Sequence, residues 1–416
     1  KAKHSLPALR SVVFDGTSAI CASELDWMVG VPCPQPGLTA PVVVPVEAVL
    51  AHLAKSRHLV VMPDHLTNGQ GLVTPFNKSA GVDYESVLDM LPRPPAGDAV
   101  SFGLDLDALD RVLIAAGKQD IRYYLNGVML DLTEGVLVGT DGHRMHVYRN
   151  RVPQVFGRAV VDGVPTVAPV QCTLPRAPLD WVLGSGGDSV KVTIWNPQGG
   201  ADAVPQVLLQ GVDGFVWIRK PLKGKFPDWA RVVPALGSRP VWASLDPVLL
   251  SDSAAAMATV ARLAGNESGA VLVDFGAGAV HGGKPEEALP LAMTVHSDHA
   301  DLDTADLAGA LSVGVCAQYL EDVADCVTRE AQWRVSHLNA GREALMVVDG
   351  DFTGVVMPVR FKEPEPAAVA AEQEAEPEPC PAAVAALPDQ LMGKARASAQ
   401  KPPEKARKQP RRLVAA

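Results

Sequence analysis

Three separated stretches of this chain follow one plan, an apolar strand, a short helix and a second strand, and that repetition limits the fold more than any other feature. The first has Pro41 to Pro45, a helix near Val46 to Ala54, then Leu59 to Met62. The second has Val170 to Leu174, a helix near Pro175 to Leu183, then Val190 to Trp195. In the third, Leu311 to Val315 precedes a helix ending near Asp325 and a strand near Gln332 to His337. Each helix carries one apolar stripe. Val46, Val49, Leu50 and Leu53 keep the helical spacing, as do Cys316, Tyr319, Leu320 and Val323. A period of roughly 130 residues is too long for a solenoid unit and suits tandem domains of similar fold.

A second kind of helix precedes two of these units. Asp105 to Gly117 buries Leu109, Val112, Leu113 and Ala116, and the Ala-rich Asp246 to Gly265 buries Met257, Val260 and Ala261. Each opens on an Asp suited to N-capping and closes on Gly. The first unit, which starts at Lys1 just before Leu6-Pro7-Ala8-Leu9, reads as lacking this strand and helix. The phasing gives domains at 1–97, 98–236 and 237–361, separated by the Pro-rich Leu91 to Pro95 and by Pro234 to Pro240. Many strands with two helices per unit make the class α+β, with helices on one side of the sheets.

The 416 residues are enough for several cores, with 47% hydrophobic residues, and show neither a membrane-length apolar run nor a signal-peptide pattern. Cys21, Cys33, Cys172, Cys316, Cys326 and Cys380 form no C-x-x-C pair, which fits small core residues of a reducing, cytoplasmic compartment, with Cys380 exposed in a tail. A net charge of −10 excludes a protein that grips nucleic acid through overall charge. It leaves room for a basic lining inside an acidic body. From Lys362 onward hydrophobic periodicity stops. An acidic Ala/Pro-rich stretch to Pro381 and a basic one from Lys394 to Arg412 make 362–416 a disordered tail by composition.

No G-x-S-x-G elbow, P-loop, H-E-x-x-H or Cys/His framework occurs, so no catalytic role and no cofactor is expected. His143 and His146 lie close to Asp141, yet their spacing fits no metal motif and in a strand they face opposite ways. Asp141-Gly142 reads as a tight turn between two strands, and Ile121 to Gly127 as a further strand of that sheet.

Those two segments, Ile121-Arg122-Tyr123-Tyr124-Leu125-Asn126-Gly127 and Thr140-Asp141-Gly142-His143-Arg144, resemble the middle domain of bacterial DNA sliding clamps, the beta subunit of DNA polymerase III. Val355 to Phe361 resembles the segment with which those proteins end. The likeness covers Leu6 to Phe361, strongest in the middle and weakest in the first domain. It implies three tandem domains of the DNA-clamp type, antiparallel sheets outside and helices lining a ring. A head-to-tail homodimer would encircle double-stranded DNA without membrane attachment. The replicative polymerase, the clamp loader and other proteins with clamp-binding motifs would dock in a hydrophobic groove between domains 2 and 3. Carried over, that groove comprises Leu125, Thr140, Gly142, His143, Arg144, Met145, Pro227, Arg231, Val232, Val355, Val356, Met357, Pro358 and Val359, with Arg144 and Arg231 free to meet acidic peptide groups. DNA contact falls to Lys3, Lys55, Arg57, Lys118, Gln119, Arg122, Tyr123, Tyr124 and Arg176, with Arg262 a further channel cation and Leu263 at the dimer interface. Two departures stand out: Met145 and Phe361 occupy positions where Leu is common, and the chain continues past Phe361. The alternative is an interaction scaffold that keeps the groove without closing a ring. An enzyme with a metal at His143 ranks last.

Overall fold

The computed structural model describes residues 7–359 apart from internal stretches, the longest being 78–98, 196–204 and 299–310. The tail, Lys3, Arg360 and Phe361 therefore lie outside the described residues. In the first stretch, strands β1 (Ser11–Phe14), β2 (Ser18–Glu24), β3 (Trp27–Pro32) and β4 (Val42–Pro45) lead to helix α1 (Val46–Leu53). Strands β5 (Val60–Val61), β6 (His65–Thr67) and β7 (Val73–Pro75) follow. The second stretch opens with β8 (Ala99–Asp105) and α2 (Leu106–Ala115), then β9 (Gly127–Asp131), β10 (Val136–Thr140) and β11 (Arg144–Arg149). A hairpin of β12 (Gly157–Val161) and β13 (Val164–Ala168) leads to β14 (Gln171–Pro175) and α3 (Arg176–Gly184). Three strands, β15 (Ser189–Trp195), β16 (Gln206–Gly211) and β17 (Gly214–Ile218), close this stretch, and the one-turn helix α4 (Trp229–Val232) joins it to the next. The third stretch has β18 (Val241–Leu245), α5 (Pro247–Leu263), β19 (Ala270–Asp274), β20 (Ala279–His281), β21 (Ala288–Pro290) and β22 (Met293–Ser297). It continues through β23 (Ser312–Cys316) and α6 (Ala317–Ala324) to β24 (Gln332–Val335), β25 (Leu345–Asp349) and β26 (Phe352–Val356).

The repetition read from sequence reappears in strand order. The sets β4-β1-β2-β3, β14-β9-β10-β11 and β23-β19-β20-β21 are laid out alike, and so are β5-β6-β7, β15-β16-β17 and β24-β25-β26. Two sheets run across the boundaries between stretches. Strand β3 pairs with β17 to make an eight-stranded sheet, and β11 pairs with β26 to make a nine-stranded one. Because the pairing is antiparallel and continuous, backbone polar groups at these boundaries are satisfied in the ladder instead of by solvent.

The longer helices form where their signals say. Asp105 accepts the Asp107 N–H at 2.9 Å at the start of α2, and Asp246 accepts the Val248 N–H at 3.0 Å at the start of α5. Such caps each contribute about 1 kcal/mol. Leu109, Val112 and Leu113 are fully buried between α2 and the sheets, together with Leu130, Leu174 and Val192. The third stretch has its own core around Trp333, Leu250, Phe275 and Leu320.

Two local expectations are corrected. On α1 the apolar stripe is buried only in part: Val49 is buried, whereas Leu50 is 61% exposed and Leu53 45%, and His52 is fully buried. His52 is held there by Thr74 Oγ1 and the His58 carbonyl, each at 3.0 Å, which remove the cost of burying an imidazole. Residues Ile121 to Asn126 are not a strand. Tyr123–Leu125 forms a 3-10 turn, fixed by Asn126, whose Oδ1 accepts the Asp120 N–H at 2.8 Å and whose amide donates to the Asp120 carbonyl at 2.9 Å.

Candidate functional site

The turn between β10 and β11 is built from short polar side chains bonding their own backbone. Asp141 Oδ1 accepts the N–H groups of His143 at 2.9 Å and Arg144 at 3.0 Å. Thr140 Oγ1 accepts the Gly142 N–H at 3.0 Å and donates to the Arg144 carbonyl at 2.6 Å. Gly142 has φ +87°, the left-handed region a side chain would resist. Across the sheet, β11 pairs Arg144 with Val356 and Met145 with Val355 on β26. Met357 then donates its N–H to the His143 carbonyl at 2.9 Å.

The third wall comes from the segment before β18. Phe226 and Trp229 are buried against Leu125, Met129, Val138, Met145 and Val355. The Trp229 indole donates to Asp131 at 3.3 Å, and Arg149 lies over its ring at 5.5 Å. With those anchors fixed, Pro227 and Val232 face a cavity of about 240 Å³ lined by Thr140, Gly142, Arg144, Met145, Val355 and Met357.

The structure thus gathers eight of the fourteen sequence-assigned groove residues around one cavity. Leu125 lies in the layer beneath it. His143 and Arg231 are exposed at the surface. Val356 does not face this cavity, because strand alternation turns it into the core of the third stretch. Val359 is tied by its N–H to the Gly314 carbonyl at 2.8 Å, and Pro358 is half-buried outside the lining.

Arg144 is corrected in role. It is 8% exposed and already engaged: it pairs with Asp141 and with Asp322 on α6, and donates to the Ile114 carbonyl at 3.0 Å. Its guanidinium also lies 4.7 Å over the Tyr319 ring, which His143 stacks on at 6.1 Å. Arg144 therefore joins β11 to α2 and α6 instead of offering a free cation. Behind it His146 is fully buried, its Nδ1 2.6 Å from the Arg111 carbonyl, and burial lowers its pKa to about 4. The Arg111 guanidinium donates to the Cys326 carbonyl at 2.8 Å. Burial pushes the thiols of Cys326 and Cys172 up to about 12, so neither is a thiolate at neutral pH. Among the described residues no cluster of three or more His, Cys, Asp or Glu could hold a metal.

The proposed nucleic-acid residues divide into two groups. Lys118, Gln119, Arg122 and Tyr123 are exposed on the loop after α2, with Tyr124 half-buried, and Lys55 and Arg57 are exposed after α1. Arg122 is bound to Asp120 at 2.8 Å, donates to the Asp141 carbonyl at 2.8 Å and packs against Gly142. That guanidinium, by hydrogen bonding first, pulls the Asp120 pKa to about 2. Arg176 is engaged at the end of α2, where it donates to the carbonyls of Leu113 at 2.8 Å and Ala116 at 3.1 Å. Leu263 is 85% exposed at the end of α5. Sequence reading missed Asp322 and Tyr319, whose contacts with Arg144 span far too much chain for any local pattern to reveal.

Solved structures share this arrangement. The DNA polymerase III beta subunit of Pseudomonas aeruginosa superposes with a TM-score of 0.60 at 20% identity, covering 86% of this chain and 94% of that one. The beta subunit of Thermotoga maritima gives a TM-score of 0.62 at 17% identity, covering 87% and 94%. The chain has the sliding-clamp fold and is a divergent relative of the beta sliding clamps. By sequence it is 27% identical over 264 residues to the beta sliding clamp of Pseudomonas putida, covering 61% of this chain and 62% of that protein. The Proteus mirabilis clamp is 32% identical over 154 residues, 35% of this chain and 37% of the relative. Matched lengths among the first of these relatives thus fall just short of two thirds of the clamp. No family model matches the chain. One solved Pseudomonas aeruginosa clamp, with a TM-score of 0.61, has griselimycin bound.

Proposed function

We propose that this chain is a DNA polymerase processivity factor, acting as a ring of two copies around duplex DNA in the cytoplasm. Domains 1–97, 98–236 and 237–361 are its building units. The observation that carries this reading is the pairing rule between stretches. Within the chain, the end strand of one sheet pairs with the end strand of the next, β3 with β17 and β11 with β26. The positions equivalent to these are β21 in the third stretch and β7 in the first, and both stand at the end of their sheets. The same rule applied between copies joins β21 of one to β7 of the other, head to tail, and two such seams close a ring. Leu263, far more exposed than an interior leucine, is our candidate for a contact at that seam.

The apolar cavity beside β11 and β26 is the docking place for peptide segments of the replicative polymerase, the clamp loader and other partners. Retention by encirclement needs no tight grip, which agrees with the acidic net charge. The role is mechanical and non-catalytic. Sedimentation velocity tests the ring: a species near twice the 43.8 kDa chain mass is expected, held longer on closed circular than on linearised plasmid. A monomer at every concentration overturns it. That result would select the second reading, a scaffold with the pocket but no ring, which one observation favours: the exposed helix faces carry more acid than base.

A further inference from the structure

The third wall of the cavity has little backbone support. Leu222 donates its N–H to the Thr173 carbonyl at 2.8 Å, and strand pairing resumes only at β18. From Lys223 to Arg239, every backbone–backbone hydrogen bond among the described residues stays inside the segment. Examples are Arg231 to Asp228 at 3.3 Å and Val233 to Trp229 at 3.1 Å. One turn of helix cannot sustain itself in water. The placement of Pro227 and Val232 therefore depends on what the segment's side chains grip, above all Phe226 and Trp229.

Those two grips differ. Phe226 is held by apolar contact, which has no preferred direction, whereas the Trp229 indole also makes a directional hydrogen bond. Its acceptor belongs to a row that crosses four strands. Gln171 on β14 is paired with Asp131 on β9, Asp131 with Val136 on β10, and Val136 with Arg149 on β11. Directly paired residues point to one face of a sheet, so Trp229 lies across a single row of side chains. Its Nε1 is 3.3 Å from Asp131, and its ring centre is 5.5 Å from the Arg149 guanidinium carbon.

Asp131 is 1% exposed and accepts four hydrogen bonds. Oδ1 takes the Thr133 and Glu134 N–H groups at 3.0 and 3.1 Å, and Oδ2 takes the Gln171 amide at 2.7 Å together with the indole. A carboxylate buried this deeply is costly unless such donors satisfy it. Three of the donors come from the sheet and its own turn. The fourth comes from the pocket wall.

We infer that Asp131 is a positioning residue for the pocket: through the Trp229 indole it fixes the segment whose Pro227 and Val232 form the third wall. It touches no docked peptide and acts on peptide affinity by holding the wall in its binding shape. The effect on affinity rests on the peptide-docking reading, whereas the placement of the wall does not.

Asp131→Asn isolates this role. Its carbonyl oxygen keeps the Thr133 and Glu134 N–H groups. Its amide nitrogen then faces Gln171, which can turn its own oxygen inward, and the indole, which offers only a donor. Trp229→Phe removes the same bond from the other side and keeps an aromatic ring.

The test combines hydrogen–deuterium exchange of the full chain with anisotropy of a fluorescein-labelled pentapeptide carrying leucine and phenylalanine anchors. For Asp131→Asn, protection of the 223–233 amides is expected to fall about tenfold and the peptide Kd to rise about tenfold, as loss of a bond to a charged group predicts. Amides of β9 and β10 are expected to keep their protection, which a merely structural role for Asp131 would not allow. Trp229→Phe is expected to match it, and the double variant to be no weaker than either single one, because both remove one interaction. Trp242→Phe loses a similar indole bond, to Asp298 at 3.0 Å, away from the pocket and is expected to leave both readouts unchanged. Unchanged protection of 223–233 in Asp131→Asn, an equal loss across β9 and β10, additive losses in the double variant, or an equal loss in Trp242→Phe overturns the inference. A wild type that ignores the peptide defeats the docking reading alone, since exchange still reports whether Asp131 holds the wall.

Discussion

The two places where neighbouring stretches meet share one strand pairing and differ in what fills them. At β3 and β17 the filling is aromatic. Trp195 and Trp217 pack with Ile20, Met28 and Leu208, and Phe215 covers Gly30 so closely that a Cβ there would lie 2.3 Å from the ring. At β11 and β26 the pair that lines the cavity is Met145 and Val355, and the neighbouring side chains leave about 240 Å³ open. Pairing alone therefore does not make a pocket. What faces the junction decides it: rings fill the space beside β3 and β17, while beside Met145 and Val355 the rings of Phe226 and Trp229 are buried in the cluster with Leu125 and leave the cavity unfilled.

Substitutions can strain that contrast. The largest effect is expected from Arg144→Ala, which leaves the acids around it unmatched at the open junction. A loss of about 3–5 kcal/mol in urea unfolding is expected, with peptide binding abolished. A change under about 1 kcal/mol would show that Arg144 does not hold the junction together. Trp217→Ala should cost about 3 kcal/mol by opening the closed junction, with peptide affinity unchanged. Reduced affinity there would mean that the two junctions are coupled.

Acid should act on the open junction, because His146 sits behind it and the aromatic cluster of the closed one contains no histidine. With its folded pKa near 4 against an ordinary 6.5, His146 stays neutral in the fold while the unfolded chain takes up a proton. Its share of stability is intact above pH 6.5 and drains away as pH falls toward 4, by at most about 3 kcal/mol. Unfolding midpoints across that range, compared with His146→Leu, check the sign. The smallest effect on the fold belongs to Met357→Ala at the pocket rim. Stability should move by less than about 0.5 kcal/mol while peptide affinity falls about fivefold.

How far the sequence could be read depended on how local the causes were. The Asp caps and buried stripes of α2 and α5, and the Asp141-Gly142 turn, depend on residues a few positions apart, and all are present. His52 joins Val49 on the buried face of α1 in place of Leu50 and Leu53, and its partner Thr74 lies 22 residues away. Arg144 looked available because Asp322 is 178 residues downstream. The 3-10 turn at Tyr123 passed for a strand because its aromatic run has strand-like composition, while Asn126 fixes the opposite geometry.

The ladder from Arg144–Val356 to Tyr148–Phe352 also has a mechanical consequence. A chain whose sheets run unbroken through its joints behaves as a beam, and bending spreads along it as twist instead of collecting at a hinge. Any closed assembly of such beams parts first where one molecule ends and another begins.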